Sequence, residues 1–221
     1  MSYRYNPNNL NLQDEHWYFD LSMSYNGSGS TTSGYNRSTV ASYAMNYAEY
    51  SNYSYDTPNH LKTGDGNCTN FISACLEAGG LAYVNGNKTS DASWYYSSFL
   101  GSYDSSHTWG GAENFARHWG HNNRRTGRQR AYQTIVYANA KTALADWPRL
   151  YNLLKPGDII QMANSSVVHH SMIICEKYAY PSDLKYVQHQ PSKPPQFVKG
   201  DLLTNYINNE NEMIIFHLIS N

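Results

Sequence analysis

Long apolar runs are absent from this sequence of 221 residues. No run approaches the roughly 20 apolar residues that a membrane-spanning helix needs, so we expect no transmembrane segment. Charged residues are also few: they make up 15% of the chain and nearly cancel, to a formal net charge of -1. Such a balance gives no indication of a nucleic-acid partner or of attraction to an anionic membrane surface.

Cysteine is scarce as well. The sequence contains only three cysteines, Cys68, Cys75 and Cys175. They cannot all pair within one chain, so we expect at least one free thiol and no disulfide scaffold. Cys68 and Cys75 would lie about 10 Å apart along a helix, which is too far for a disulfide. The apolar neighbours of Cys75 and Cys175 predict core positions, which leaves Cys68 as the cysteine suited to chemistry.

The first ten residues lack the apolar segment of a signal peptide, so either the protein stays inside the cell or a leader has been removed. A composition rich in Tyr and Asn and poor in Lys favours an extracellular or cell-envelope location, with a cytoplasmic location as the alternative. Residues 1–34 are interpreted as an N-terminal arm that ends in a Gly/Ser-rich linker. Residues 35–221 are long enough for one domain.

Helical patterns come first in this domain and strand patterns follow. Periodic apolar residues predict helices over 40–48, 68–78 and 112–119, and a longer one that ends near residue 154. Asn36 or Ser38 could cap the first helix, and Gly79-Gly80 should end the second. Residues 81–109 are predicted to be a loop. Short runs rich in Ile, Val, Tyr and Phe predict strands over 158–162, 170–175, 184–189 and 213–219. This order indicates an α+β fold with N-terminal helices packed on a C-terminal antiparallel sheet.

Cys68 follows a Gly-Asp-Gly-Asn turn and opens a predicted helix. The unpaired N–H groups and the positive dipole end at a helix N-terminus stabilise a thiolate and lower the thiol pKa. The amide of Cys68 itself would face a developing oxyanion. Asn67 could either donate a hydrogen bond to that oxyanion or cap the helix. The alternative, a small buried apolar residue at position 68, fits poorly with Gly and Asn on its N-terminal side.

The base for this thiol must come from elsewhere in the chain. His170 begins one predicted strand and His189 ends the next. If the two strands form a hairpin around residues 176–183, His170 and His189 face each other on one side of the sheet. We therefore predict His170 as general base and His189 as the residue that orients it, with a surface role as the alternative for His189. His169 should point to the opposite face.

Two further groups of residues are open to two interpretations each. Trp94 and Trp109 suit either the wall of a sugar or peptide groove or the core. Arg124, Arg125, Arg128 and Arg130 favour a solvated basic loop over a contact with an anionic polymer.

Several segments of the sequence together carry a resemblance to a known family: YNRSTVASYAMNYA, GNCTNFISACLEAGG, WYY, SSHTW, KPGDIIQ, HHSMII and VQHQ. They resemble the bacterial Putative amidase domain, which is related to the NlpC-type and CHAP cysteine hydrolases. The resemblance covers roughly residues 35–190. It implies a papain-like cysteine hydrolase fold, with Cys68 as nucleophile, His170 as base and a polar third residue on the next strand, where His189 stands. The chain departs from the family at Ala74, where Gln is usual, and in its basic 121–130 segment.

The expected reaction is hydrolysis of an amide through a thioester, with no metal and no cofactor. Peptidoglycan peptides are the expected substrate by analogy, and no nucleic acid is expected as a partner. A zinc amidase using His169, His170, His189 or His217 is a weaker alternative, because neighbouring strand residues point apart and no HExxH helix exists. A non-catalytic wall-binding module of the same fold is the alternative from another class.

Overall fold

The computed structural model describes residues 24–26, 32–48, 67–99, 102–120, 127–164, 167–190, 196–207 and 212–221. The strands are β1 Ser24–Asn26, β2 Tyr96–Phe99, β3 Ser102–Ser105, β4 Gln133–Tyr137, β5 Ile159–Ala163, β6 Val168–Tyr178, β7 Asp183–Gln190, β8 Gln196–Leu202 and β9 Met213–Leu218. The helices are α1 Arg37–Tyr47, α2 Asn67–Ala78, α3 His107–Gly110, α4 Ala112–Trp119, α5 Ala140–Ala145, α6 Trp147–Leu153 and α7 Leu203–Ile207.

An antiparallel sheet of seven strands, in the order β1-β4-β9-β5-β6-β7-β8, organises this α+β fold. Both faces of strand β6 are covered. Met172, Ile173 and Ile174 are consecutive, so they point to alternate faces, and all three are fully buried. Ile173 belongs to the core shared with α1, α2 and α4, whereas Met172 and Ile174 belong to the core shared with α5, α6 and α7. The continuous apolar run in β6 is therefore a consequence of helices on both faces.

The boundaries of α1 and α2 follow local sequence signals. The Asn36 side chain accepts a hydrogen bond from the backbone N–H of Thr39, which confirms Asn36 as the N-cap of α1. Helix α2 ends at Ala78, and Gly80 has a φ of 90°, a left-handed conformation that favours glycine. A Cβ atom on Gly79 would lie 2.2 Å from Val40 Cγ2, so glycine there allows α1 to pack closely against the end of α2.

A buried ion pair ties α1 to the start of β5. Arg37 Nη1 lies 2.8 Å from the carboxylate Oδ1 of Asp158, which is fully buried. The backbone N–H groups of Lys155 and Ile219 also donate to this carboxylate, at 2.9 and 3.0 Å. Burial raises the pKa of Asp158, and the Arg37 charge opposes that rise. The guanidinium further donates to the carbonyl oxygens of Pro156 and Ser220, so one arginine joins three segments of the chain.

Several predictions about elements need correction. In place of the long helix predicted to end near residue 154, the structure has two short helices, α5 and α6, preceded by the strand β4. The segment 81–109 contains the β2–β3 hairpin and α3 rather than loop alone, and β8 was missed. Within the predicted arm, β1 pairs with β4. The rest of the arm up to residue 31, and Arg124 and Arg125, lie outside the described residues. Among the described helices, none is long and apolar enough to cross a membrane.

Candidate active site

Cys68 is the second residue of α2 and its side chain lies against the start of β6. Cys68 is 4% exposed, its thiol interacts with the His170 ring, and its Sγ lies 3.7 Å from Thr69 Oγ1. Burial by itself raises the thiol pKa. The hydrogen bond and charge of His170, with hydrogen bonds from Thr69 and the backbone of Ser171, outweigh burial and lower the pKa of Cys68 below its usual 9.0.

His170 lies between the thiol and a glutamine. Its Nε2–H donates to Gln188 Oε1 at 2.6 Å, which leaves Nδ1 as the ring nitrogen available to Cys68. Burial lowers the pKa of His170, but the hydrogen bond and charge of Cys68 and the hydrogen bond to Gln188 raise it above 6.5. The opposite shifts of the two pKa values favour a thiolate–imidazolium pair, the reactive form of a cysteine nucleophile.

The predicted register between β6 and β7 is wrong, and a bulge is the reason. Glu176 pairs with Lys185, but Ile174 pairs with Tyr186, so Cys175 is an extra residue in β6. A one-residue change of register moves side chains to the other face of a sheet. Gln188, rather than His189, therefore reaches His170. The structure does not bring His189 to the His170 ring.

His189 instead joins the end of α1 to the start of α2. Its Nε2–H donates to the carbonyl oxygen of Tyr47 at 3.1 Å, and its Nδ1 accepts from Asn67 Nδ2 at 3.1 Å. The ring also stacks on Phe71, with centroids 3.8 Å apart. Burial is the main reason that the pKa of His189 falls to about 4, so the ring is neutral at physiological pH. These contacts give His189 a structural part in holding the helix that carries Cys68.

Asn67 and Trp109 continue the same hydrogen-bond chain. Asn70 Nδ2 donates to Asn67 Oδ1 at 3.1 Å, and Trp109 Nε1 donates to Asn70 Oδ1 at 2.6 Å. The Asn67 amide nitrogen thus donates to His189. Trp94 Nε1 donates to Ser73 Oγ at 3.1 Å. Both tryptophan rings are buried, so they lie in the core and not along an open groove.

A family model described as Putative amidase domain matches residues 34–215, which include Cys68, His170 and Gln188. The chain belongs to this amidase family. No curated protein and no solved structure matches it. Membership indicates amide hydrolysis as the class of reaction. Within the matched residues, the structure brings Cys68 and His170 together.

The remaining histidines of the zinc alternative have separate partners. His169 Nε2 lies 2.8 Å from Glu212, at the partly exposed beginning of β6. His217 is fully buried beside Gln161, at 2.8 Å. In the part of the chain that the structure describes, no three His, Cys, Asp or Glu residues are grouped in a way that could hold a metal ion.

The three thiols should differ sharply in reactivity. All are free, but burial raises the pKa of Cys75 well above 9.0 and that of Cys175 to about 12, whereas the pKa of Cys68 is lowered. Below pH 7, iodoacetamide should therefore modify Cys68 at least about tenfold faster than the other two. Peptide mapping after brief treatment measures this ratio. Equal labelling, or labelling led by Cys75, would contradict the pKa order.

Proposed function

We propose that the protein is a cysteine amidase in which Cys68 is the nucleophile, His170 the general base and Gln188 the orienting residue. The observation that carries the proposal is the Cys68–His170–Gln188 contact chain, with a lowered thiol pKa and a raised imidazole pKa. It occurs in a chain of an amidase family. Cysteine hydrolysis needs these same three functions: a thiolate, a base that accepts its proton, and a group that orients the base.

The reaction follows from the placement of these groups. The Cys68 thiolate attacks the amide carbon, and the oxyanion rests on backbone N–H groups at the start of α2, which have no partner within the helix. The His170 imidazolium gives its Nδ1 proton to the leaving amine as the C–N bond breaks, and a thioester remains on Cys68. His170 then removes a proton from water, whose oxygen attacks the thioester carbon. The C–S bond breaks, which returns the Cys68 thiolate beside the His170 imidazolium, and the product acid leaves and loses its proton to solvent.

A papain-like relationship and a peptidoglycan substrate belong to this proposal. A nucleophile at a helix start, with its base on an antiparallel sheet beneath the helix, supports the papain-like comparison. Peptides of the bacterial wall are proposed as substrate on the analogy with NlpC-type and CHAP hydrolases.

Incubation with purified wall sacculi tests the function directly. Mass spectrometry should detect released peptides with new carboxyl ends, and acid quenching should trap an acyl group on Cys68. The Cys68→Ala variant is the matched control and should release nothing. Binding of the wild-type protein to sacculi without release of fragments would favour the wall-binding alternative. Release that survives thiol alkylation but stops with a chelator would favour a zinc enzyme.

Gln188 should control the rate and pH dependence of turnover. A hydrogen bond to a charged group contributes about 1.5–3 kcal/mol, so Gln188→Ala should slow turnover roughly 10- to 150-fold. Since Gln188 raises the pKa of His170, the variant should lose its imidazolium at lower pH. The alkaline limb of the kcat/KM profile should therefore move to lower pH.

His189→Ala, at the adjacent residue, is the control for this effect. It should lower Tm, because Asn67 loses its acceptor and Phe71 its stacking partner, and leave the alkaline limb in place. A shifted limb in His189→Ala with a normal profile in Gln188→Ala would show that His189 is the orienting residue.

A further inference from the structure

A row of buried polar side chains runs from the candidate nucleophile along one face of the sheet, across β6, β5, β9 and β4. Thr69 Oγ1 lies 2.8 Å from Ser171 Oγ, which accepts from Gln161 Nε2 at 2.9 Å. Beyond Gln161 the row continues to β9 and β4: Gln161 Oε1 lies 2.8 Å from His217 Nε2, and His217 Nδ1 lies 3.3 Å from Thr134 Oγ1. All five side chains are buried and none of them is acidic. Polar groups are costly to bury, so an uninterrupted row of them calls for a reason.

The far end of the row fixes its direction. Burial lowers the pKa of His217 to about 3, so the ring is neutral and carries a single N–H. Gln161 Oε1 can only accept, which places the ring proton on Nε2 and leaves Nδ1 to accept from the Thr134 hydroxyl. The carbonyl oxygen of Ala112 can only accept, so it holds the Gln161 NH₂ group on its own side and leaves the amide oxygen toward His217. The NH₂ group thus faces away from His217 and donates to Ser171 Oγ and to the carbonyl oxygen of Ala112.

From Gln161 the donors continue toward the sulfur. Ser171 accepts from Gln161, so its own proton is available for Thr69 Oγ1, 2.8 Å away. Thr69 then directs its proton at Cys68 Sγ, 3.7 Å away, within reach of a hydrogen bond to sulfur. Each donation polarises the next hydroxyl and strengthens the one that follows. The hydrogen bond from Thr69 also helps to lower the pKa of Cys68, beside the larger effect of His170.

We propose that Thr69 is a positioning residue that stabilises the Cys68 thiolate, at the end of a donor chain whose direction Gln161 and His217 set. This inference rests on the proposed function, because it assigns a second support to the same nucleophile. The donor chain reaches the sulfur along one face of the sheet, whereas His170 reaches it from the beginning of β6. The thiolate is therefore held on two sides, by an ionic partner and by a neutral donor.

The experiment measures the thiolate directly and needs no substrate. The rate of iodoacetamide modification of Cys68 is followed against pH by peptide mapping in the full-length protein. Thr69→Val keeps the shape of the side chain but removes the hydroxyl, so modification below pH 7 should slow about tenfold. Thr69→Ser restores the donor and should return the rate to within about threefold of the wild type. Gln161→Leu, two links away, should slow it by roughly threefold.

Ser73→Ala is the matched control on the same helix. Ser73 Oγ is buried and hydrogen-bonded to the Trp109 carbonyl oxygen and to Trp94 Nε1, outside the donor chain. The variant should lower Tm and leave the modification rate of Cys68 unchanged.

Wild-type modification rates in folded Thr69→Val, or an equal loss in Ser73→Ala, would overturn the inference. Neither result would touch the proposed function, which fails separately if Cys68→Ala retains turnover. If Thr69→Val does not fold, the Gln161→Leu and Thr69→Ser rates decide. A wild-type rate in Gln161→Leu would then overturn the donor chain.

Discussion

Replacing Cys68 or His170 by alanine should reduce turnover by at least about a thousandfold and leave the fold intact. Cys68→Ala removes the sulfur atom that forms the proposed thioester. His170→Ala removes both the group that raises the thiolate population and the proton donor for the leaving amine. The two losses should not add in the double variant, because each alone already disables the pair. His170→Ala also leaves Gln188 Oε1 without its donor, at a cost of about 1–3 kcal/mol in folding.

The rate of peptide release from wall sacculi measures this effect, and circular dichroism checks that each variant is folded. His169→Ala is the control, because it removes the neighbouring imidazole on the same strand, whose Nε2 lies against Glu212. It should keep nearly wild-type activity. If His169→Ala were inactive and His170→Ala active, the base would be His169 and the assignment of His170 would be wrong.

The second large effect concerns stability. Arg37→Ala should lower the free energy of unfolding by about 3–5 kcal/mol, because it leaves the fully buried Asp158 carboxylate without its cation. Burial already raises the pKa of Asp158, and the loss of Arg37 raises it further. A carboxyl whose folded pKa exceeds its unfolded pKa binds more protons in the folded state, so folding gains stability as pH falls through that range. The deficit of the variant should therefore shrink on acidification.

Denaturant unfolding at several pH values measures that deficit. Lys88→Ala is the control, because it breaks the ion pair with Asp104 in which both side chains are well exposed, at 60% and 46%. Exposed pairs contribute at most about 1 kcal/mol. Similar losses from the two variants, or a deficit in Arg37→Ala that grows on acidification, would contradict the account of Asp158.

Sequence patterns were sufficient for features decided by nearby residues. The cap at Asn36, the end of α2 before Gly80 and the strands β5, β6, β7 and β9 all follow from local signals. The position of Cys68 at a helix start depends on the same kind of information. The segment that forms β4 was instead predicted to be helical. Its pairing with β1 and β9 joins segments far apart in the sequence, which local patterns do not reveal.

The third residue of the candidate site could not be read from the sequence for a similar reason. Gln188 and His189 are adjacent, and both are polar residues near the end of one strand. Which of them faces His170 depends on a single extra residue at Cys175 in the partner strand. No composition signal marks that bulge, because Cys175 fits the apolar run that contains it. The burial of Trp94 and Trp109 was equally hidden, since aromatic residues suit both grooves and cores.

The position of β9 has a consequence for when the protein becomes active. Met213–Leu218 lies between β4 and β5, although it is the last of the described strands to leave the ribosome. Until it is synthesised, β4 and β5 both expose an edge of unpaired backbone groups, a template for association with other chains. Cys68, His170 and Gln188 all precede β9 in the sequence, so they are synthesised before it. A nascent chain therefore contains every proposed catalytic side chain before β9 can complete the sheet that aligns them. The active arrangement then depends on a strand that supplies no reacting atom.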